Sequence, residues 1–157
     1  TGMEEGLAAK SPDCEIVASV NADWDYATAN TAVEELLNTY PEIDGVLSQG
    51  GAMTQAAMEA FEAAGRDLVP MTGEASNGFL RSWVEAKDQG FTSIAFVCPT
   101  TQSSLALDVA VNALNGEKVE PEYLASEDPV TEDNVDSVYR DDLSDNYWPA
   151  QIWMNRL

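Results

Sequence analysis

The sequence predicts an α/β domain in three layers, a parallel β-sheet with helices on both faces. Apolar stretches rich in β-branched residues begin roughly 25–30 residues apart, as in successive β-α units. A segment with helical periodicity follows each of them, and this alternation is typical of a parallel sheet. The chain has 157 residues, of which 45% are hydrophobic, enough for one domain with one core.

Four strands are expected, and turn residues bound each of them. They are Glu15–Asn21, Val46–Ser48, Leu68–Thr72 and Phe91–Cys98. Pro70 lies in the third stretch and has no N–H to donate. It therefore argues against a central place for this strand, or marks a point where no amide is needed.

Five helical segments are expected around these strands. They cover Gly2–Lys10, Tyr26–Tyr40, the stretch from Gly51 to about Ala64, Gly78–Gln89 and Gln102–Leu114. Asp25 and Asn77 are predicted N-caps, and Gly65 and Gly90 are predicted to end helices. The helix at Gln102–Leu114 is apolar over most of its surface, so it is expected to pack deeply.

The chain changes character after Gly116 and becomes dense in acidic and turn residues. We expect only a short extended piece near Glu122–Ala125 and a helical turn near Glu132–Asp136. The last apolar residues, Tyr147–Pro149 and Ile152–Trp153, are expected to tie the tail to the body of the domain.

Charge argues against two classes of partner. The formal net charge is −21, and such a surface repels phosphate backbones and anionic headgroups, so no nucleic acid and no membrane surface is expected to bind. Solubility is the simplest role of this charge. No apolar run approaches the roughly 20 residues that span a bilayer. The sequence opens Thr-Gly-Met-Glu without a signal peptide, so we expect a processed or trimmed piece of a longer protein.

Histidine is absent, and the chain has two cysteines. The commonest general base and the commonest neutral metal ligand are therefore missing, and we expect no metal and no cofactor. Cys14 precedes the first strand and Cys98 ends the fourth, so the two should lie on opposite rims of a parallel sheet. We expect packed or partly exposed thiols rather than a disulfide.

Three strands are followed by turns that carry polar or aromatic side chains with small neighbours. The turns are Ala22–Asp25, Gln49–Gly51 and Thr72–Asn77. The carboxyl ends of parallel strands share one rim, where ligands of open α/β sheets bind. Trp24 could stack on the apolar face of a sugar ring, or it could fill the core at the end of its strand.

The second and third turns offer hydrogen-bonding groups. The amide of Gln49 both donates and accepts, and Gly50 lets a ligand come close to the backbone, although turn geometry alone would explain both residues. The stretch has neither the spacing of a dinucleotide-binding loop nor the lysine of a P-loop. The Glu74 carboxylate could accept bonds from sugar hydroxyls or simply face solvent. Asn77, taken alone, fits a helix cap better than a ligand contact.

A series of short motifs follows in order along the chain. They are Ala22-Asp-Trp-Asp25, Tyr40-Pro-Glu-Ile-Asp-Gly-Val46, Gln49-Gly-Gly-Ala-Met53, Ala60-Phe-Glu-Ala-Ala-Gly65, Thr72-Gly-Glu74, Asn77-Gly-Phe-Leu80 and Asn115-Gly-Glu-Lys-Val119. From about Glu4 to Tyr147, the ordered set resembles the C-terminal portion of the ribose-binding-protein-like (type I periplasmic) solute-binding proteins of ABC sugar importers.

This resemblance implies a Rossmann-like lobe that is one of two, with a sugar held in the cleft between them and an ABC permease that receives it. It also implies an extracytoplasmic location, in the periplasm or as a cell-surface lipoprotein. The chain departs from the family at Gly50, where many members carry Asn or Asp, and near Ala75, where they carry Asp. The residues at the family's ligand-binding positions are Trp24, Gln49, Gly50, Glu74, Ser76 and Asn77.

The resemblance covers only part of such a protein. It assigns residues 1–98 to the C-terminal ligand-binding lobe, 99–116 to a hinge-crossing segment and helix, and 117–157 to an acidic return segment and tail. The first lobe and the opening strand of the second would be missing, which leaves half of the site and an unpaired sheet edge. We therefore expect weak sugar binding by this chain alone, and dimerisation or strand exchange through that edge.

Two other interpretations stay open. The effector-binding domain of a LacI-type transcription regulator has the same fold, and a DNA-binding helix-turn-helix upstream would favour it. A glycoside-acting enzyme would need a defined carboxylate pair among Asp23, Asp25 and Glu74. Acidic residues occur throughout the chain, so their presence here is weak evidence, and we expect no enzymatic activity.

Overall fold

The computed structural model describes residues 2–98, 100–123 and 128–149. Within these ranges, a small sheet of two parallel strands is formed by β1 (Met71–Glu74) and β2 (Ser93–Phe96). The helices are α1 (Gly2–Lys10), α2 (Tyr26–Thr39), α3 (Gly51–Ala63), α4 (Asn77–Ala86) with a 3-10 turn at Lys87–Gln89, α5 (Gln102–Leu114) and α6 (Val135–Val138).

Single bridges extend the sheet on both sides. Val46 pairs in parallel with Met71, and Val130 pairs antiparallel with Ala95. The Val46 N–H donates to the Pro70 carbonyl at 3.0 Å, and its own carbonyl accepts from the Thr72 N–H at 3.0 Å. The predicted α/β class with a parallel sheet is confirmed, in the form of an incomplete lobe.

The core lies between α3, α4 and the sheet. Phe61, Phe79 and Trp83 are completely buried, and the rings of Phe79 and Trp83 stack with their centroids 6.0 Å apart. Val130 and Val135, from the segment after α5, belong to the same core. The acidic C-terminal region therefore pairs with β2 and completes part of the core.

The prediction of a strand at Glu15–Asn21 is wrong. This stretch is irregular in the structure, and Ile16, Val17 and Val20 are exposed. β-Branched residues favour a strand only where a neighbouring strand supplies hydrogen bonds and packing. Among the described residues, no strand pairs with this stretch.

The other strands are shorter than predicted or shifted. The second is reduced to the bridge at Val46, the third begins at Met71 instead of Leu68, and the fourth covers only Ser93–Phe96. Pro70 accounts for the shift of the third strand. It cannot donate to the ladder, so regular pairing begins at the next residue.

Most helix predictions are confirmed to within a few residues. Asp25 caps α2 as predicted, since its carboxylate accepts from the Thr28 N–H at 2.8 Å. Gly65 has φ +67° after α3, and Gly90 has φ +93° after the 3-10 turn. This left-handed conformation at a helix end is the one that glycine adopts without steric cost.

α5 has the predicted bounds but not the predicted packing. None of its residues is buried, and Leu107, Val111 and Leu114 are exposed, Leu114 to 88%. An apolar helix surface is buried only where another element covers it. The described part of the chain leaves this face of α5 open.

The region after Gly116 agrees with the prediction in part. α6 overlaps the predicted helical turn at Glu132–Asp136 and extends two residues further, to Val138. The Tyr147 carbonyl accepts from the Asn77 N–H at 2.9 Å, so the described end of the tail is tied to the body. Residues 124–125 of the predicted extended piece, and Ile152–Trp153, lie outside the described residues. The division at residues 98/99 and 116/117 stays a prediction.

Candidate functional site

The first turn holds Trp24 on the surface. The Asp25 N–H donates to the Ala22 carbonyl at 2.9 Å, with φ +51° at Asp23 and +59° at Trp24 between them. Positive φ at both central residues is the type I′ pattern, which Asn and Gly favour. For other residues such geometry costs about 1–3 kcal/mol, and strain of this kind clusters at functional sites. Trp24 as a residue is 65% exposed, so its side chain does not fill the core.

Trp24 lies against the second turn. A Cβ added to Gly50 would stand 3.0 Å and 3.1 Å from Cε3 and Cζ3 of the Trp24 ring, and 2.9 Å from Cε of Met53. The hydroxyl of Thr54 lies 3.0 Å from the Gly50 carbonyl and 2.8 Å from the Thr72 carbonyl, which ties this turn to β1. The absence of a side chain at Gly50 is what lets the indole rest on the turn.

The second of these turns also packs against the third. A Cβ added to Gly51 would be 2.3 Å from the Glu74 carbonyl oxygen and 2.3 Å from Oγ of Ser76. Trp24, Gly50, Gly51, Glu74 and Ser76 therefore form one continuous rim at the carboxyl end of the sheet. Sequence reasoning expected the three turns side by side, and the structure places them so.

Gly51→Ala is expected to destabilise the fold by about 3 kcal/mol, because the new methyl group overlaps a backbone carbonyl that is fixed by the sheet. Gly45→Ala is the matched control, since a Cβ there meets only the Pro70 carbonyl at 3.4 Å. Urea unfolding followed by circular dichroism compares the two. Equal midpoints for the two variants would contradict the close approach at Gly51.

Glu74 ends β1 and is partly buried. Burial raises the pKa of its carboxyl above the ordinary value, and a hydrogen bond with the Cys98 side chain opposes this shift. A carboxylate has about four acceptor positions on its two oxygens. Several of them remain for hydroxyl groups of a ligand, and hydrogen bonds to an ionised acceptor are the stronger kind.

Glu74 should make stability depend on pH. Its pKa is raised in the folded state, so its contribution to stability is complete below the unfolded-state pKa and is lost as pH rises through the folded-state pKa. We expect Glu74→Gln to raise the Tm at pH 7, and to change it little at acidic pH where the wild-type carboxyl is protonated. Thermal unfolding over a pH series measures this, with the exposed Glu62→Gln as control. A Tm below wild type at pH 7 would contradict the burial of Glu74.

The remaining predicted site residues differ in placement. Gln49 is exposed in the second turn, next to Gly50, and its contact with a ligand stays a prediction. Ser76 is buried at the N-cap position of α4, makes no side-chain capping bond there, and directs Oγ towards Gly51. Ser76 is therefore part of the rim, and Gln49 precedes the rim residue Gly50 in the chain.

Asn77 faces away from the rim. Its buried amide nitrogen lies 2.8–3.2 Å from the carbonyls of Arg140, Leu143 and Ser144, and its oxygen accepts from the Arg140 N–H at 3.0 Å. The predicted N-cap role is wrong, because Ser76 holds that position and Asn77 is the first helical residue. A ligand contact of Asn77 stays a prediction, and the geometry instead makes it the anchor of the 140–144 loop.

Sequence reasoning missed Thr54, whose buried hydroxyl lies within hydrogen-bond distance of the Gly50 and Thr72 carbonyls. Both cysteines are free and exposed, and the Gln102 amide donates to Sγ of Cys98 at 3.3 Å.

No helix in the described ranges is long and apolar enough to span a bilayer. Within the same ranges, no group of three or more Cys, Asp or Glu side chains is placed to hold a metal ion.

The chain belongs to the periplasmic binding protein domain family, whose model matches residues 1–118. It is similar to the xylitol-binding protein of Mycolicibacterium smegmatis, with 30% identity over 136 residues, which are 86% of this chain and 38% of that protein. The ribose import binding protein of Bacillus subtilis is 27% identical over 106 residues, 68% of this chain and 34% of that protein.

A solved structure has the same fold. A protein from Mycobacterium smegmatis in complex with β-D-fucofuranose superposes with a TM-score of 0.76 at 25% identity, over 88% of this chain and 45% of that one. The predicted resemblance is confirmed. The chain spans less than half the length of these relatives.

Proposed function

We propose that this chain supplies about half of the ligand site of a solute-binding protein that serves an ABC sugar importer. The observation that carries the proposal is the exposed indole of Trp24, held in a strained turn and resting on Gly50 at the rim that bears Glu74. An aromatic face and a glutamate on one rim suit a sugar ring, which has apolar faces and polar edges. The sugar ligands of the similar proteins support the same ligand class.

Each rim residue has a distinct part in this proposal. Trp24 stacks on the ring, while Gln49 and Glu74 hydrogen-bond to hydroxyl groups. Gly50 has no side chain and so keeps the surface under the sugar ring flat. Ser76 forms the part of the rim next to Gly51. Asn77 supports this arrangement from behind, by holding the 140–144 loop against α4.

The remainder of the proposal concerns the longer protein. A second lobe closes over the rim and supplies the other contacts, and an ABC permease receives the closed complex. The protein works outside the cytoplasm, in the periplasm or anchored at the cell surface as a lipoprotein. It binds the sugar and releases it unchanged, without catalysis.

Calorimetric titration tests the function directly. D-ribose, xylitol, D-allose and D-fucose are titrated into the longer protein that contains this chain, and into the 157-residue chain alone. We expect binding by the former and weak or no binding by the latter, because half of the contacts are absent. Micromolar affinity of the chain alone would contradict the half-site. Failure of all four sugars with the longer protein, or chemical conversion of a sugar, would contradict the proposed function.

We also infer that the open sheet edge at Val46–Ser48 pairs with a second copy of the chain. Val46 directs its amide and carbonyl towards β1, so the backbone groups of Leu47 point to the opposite side, which no described strand covers. An open edge of this kind is a template for further pairing. Light scattering should show dimers at high concentration in the wild type and monomers in Leu47→Lys, with Leu114→Lys on α5 as control. A monomeric wild type would refute this.

A further inference from the structure

The regular pairing between Val46–Ser48 and β1 ends at Thr72. The Val46 N–H donates to the Pro70 carbonyl and the Thr72 N–H donates to the Val46 carbonyl, as in a parallel ladder. The next bond of such a ladder would run from the Ser48 N–H to the Thr72 carbonyl. Instead, the Ser48 N–H donates to Oγ1 of Thr72 at 2.9 Å, and this hydroxyl donates to the Ser48 carbonyl at 2.8 Å. The side chain of Thr72 therefore replaces its backbone as the partner of Ser48.

The Thr72 carbonyl, which does not accept from Ser48, is bound by a second threonine. Oγ1 of Thr54, a completely buried residue of α3, lies 2.8 Å from the Thr72 carbonyl and 3.0 Å from the Gly50 carbonyl. The Gly50 carbonyl also accepts from the Thr54 N–H at 2.9 Å and from the Ser48 hydroxyl at 3.3 Å, which occupies both of its lone pairs. Since a hydroxyl has one proton, Thr54 donates it to the Thr72 carbonyl.

Glycine at position 73 makes room for this contact. A Cβ added to Gly73 would stand 2.9 Å from Oγ1 of Thr54 and 2.7 Å from Cε1 of Phe79. A larger residue at this position would displace the Thr54 hydroxyl or the Phe79 ring from β1. The Thr54 hydroxyl is therefore held by close packing as well as by its hydrogen bonds.

The Gln49–Gly51 turn lies between these two attachments to Thr72. Ser48 precedes the turn and is bound by the Thr72 hydroxyl, while Thr54 follows it in the first turn of α3 and binds the Thr72 carbonyl. A short segment that is fixed at both ends has little conformational freedom. Gly50, on which the Trp24 ring rests, belongs to this segment.

We propose that Thr72 is a positioning residue of the ligand site. Its hydroxyl holds Ser48 and its carbonyl holds Thr54, and both contacts keep the intervening turn in the arrangement that accepts a sugar ring. This inference rests on the proposed function, because it takes the surface formed by Trp24 and Gly50 as a ligand contact. The Thr72 hydroxyl donates its proton to the Ser48 carbonyl, so it acts on the ligand through the turn.

Two measurements test this proposal on wild type, Thr72→Val and Thr72→Ser. Valine keeps the branched shape and the strand preference of threonine but lacks the hydroxyl, whereas serine retains the hydroxyl. The matched control is Thr92→Val, because Thr92 is exposed and directly precedes β2. Thermal unfolding shows whether each variant is folded.

The first measurement is amide hydrogen exchange, followed by NMR in the 157-residue chain without ligand. Relative to the Val46 amide, we expect the Ser48 amide to exchange about tenfold faster in Thr72→Val, because the Ser48 N–H loses its acceptor. The Val46 N–H donates to the Pro70 carbonyl, so a general loss of stability would accelerate both amides alike. Thr72→Ser and Thr92→Val should keep the wild-type ratio of the two rates.

The second measurement is the calorimetric affinity of the longer protein for D-ribose, xylitol, D-allose and D-fucose. We expect about three- to tenfold weaker binding for Thr72→Val, because the loss of the hydrogen bonds to Ser48 loosens the turn under the sugar ring. Thr72→Ser should restore most of the affinity, and Thr92→Val should match wild type.

The outcomes separate this proposal from the proposed function. An unchanged ratio of exchange rates in Thr72→Val overturns the positioning role, whatever the protein binds. A changed ratio with unchanged sugar affinity overturns it as well, because the contact would then not serve the ligand. Faster Ser48 exchange or weaker binding in Thr72→Ser also contradicts the role of the hydroxyl, and this test remains where Thr72→Val does not fold. Absence of sugar binding by the wild type overturns the proposed function, and with it the ligand role of Thr72, even where hydrogen exchange shows the Ser48 contact.

Discussion

Replacing Trp24 by glycine is expected to weaken sugar binding roughly 10- to 100-fold in the longer protein and, at the same time, to stabilise the fold. Loss of an aromatic stacking surface costs about 1–3 kcal/mol of binding free energy, counting stacking and buried area. Glycine adopts the φ of +59° without the strain that Trp24 bears. Glycine also increases the conformational entropy of the unfolded chain, and this offsets part of the relief of strain. We expect the free energy of unfolding to increase by about 1 kcal/mol, which corresponds to a Tm increase of about 2–4 °C.

Asp23→Gly is the matched control for this prediction. It relieves φ of +51° in the same turn but leaves the indole in place. Stability should rise by a smaller amount, because Asp tolerates this conformation better than Trp, and the affinity should not change. Calorimetry and thermal unfolding give both quantities for each variant. Wild-type affinity in Trp24→Gly would reduce Trp24 to a turn residue without a ligand role.

Asn77→Asp is expected to produce the largest loss of stability among the substitutions considered, about 3–5 kcal/mol at pH 7. The change preserves the shape and the acceptor for the Arg140 N–H. It replaces the donor that faces the carbonyls of Arg140, Leu143 and Ser144 by a buried carboxylate oxygen. An unpaired buried charge aimed at three carbonyls is costly, and protonation at acidic pH should return part of the lost stability.

Urea unfolding at pH 7 and at acidic pH measures both effects. Asn38→Asp, on the exposed surface of α2, should change stability by less than about 0.5 kcal/mol. Limited proteolysis should cleave within residues 128–149 earlier in Asn77→Asp than in the wild type, since this amide anchors the 140–144 loop. Wild-type stability of Asn77→Asp at pH 7 would refute the anchor.

Local signals in the sequence predicted the helices and their ends. The Asp25 cap depends on Thr28, three residues away, and Gly65 depends on its own φ, so both could be inferred from a short window. The prediction of a strand at Glu15–Asn21 was wrong because a strand depends on residues that are distant in the sequence. Its β-branched residues record a preference that only a neighbouring strand can satisfy, and the described residues provide none.

The site shows the same division between local and distant information. The rim of Trp24, Gly50 and Glu74 could be anticipated because parallel strands bring their carboxyl ends together. The partners of Asn77 lie more than 60 residues away along the chain. Nothing in the residue types themselves marks this pairing, so only the structure reveals it.

The involvement of Val130 and Val135 in the core has a consequence for biosynthesis. Residues 71–96 emerge from the ribosome well before their last structural neighbours, which follow only after the whole of α5. Until then Trp83 and its apolar surroundings lack part of their cover, and one side of β2 lacks its partner. During synthesis the core therefore cannot be completed until Val130 and Val135 have left the ribosome. Contacts between residues so far apart in the sequence also form slowly.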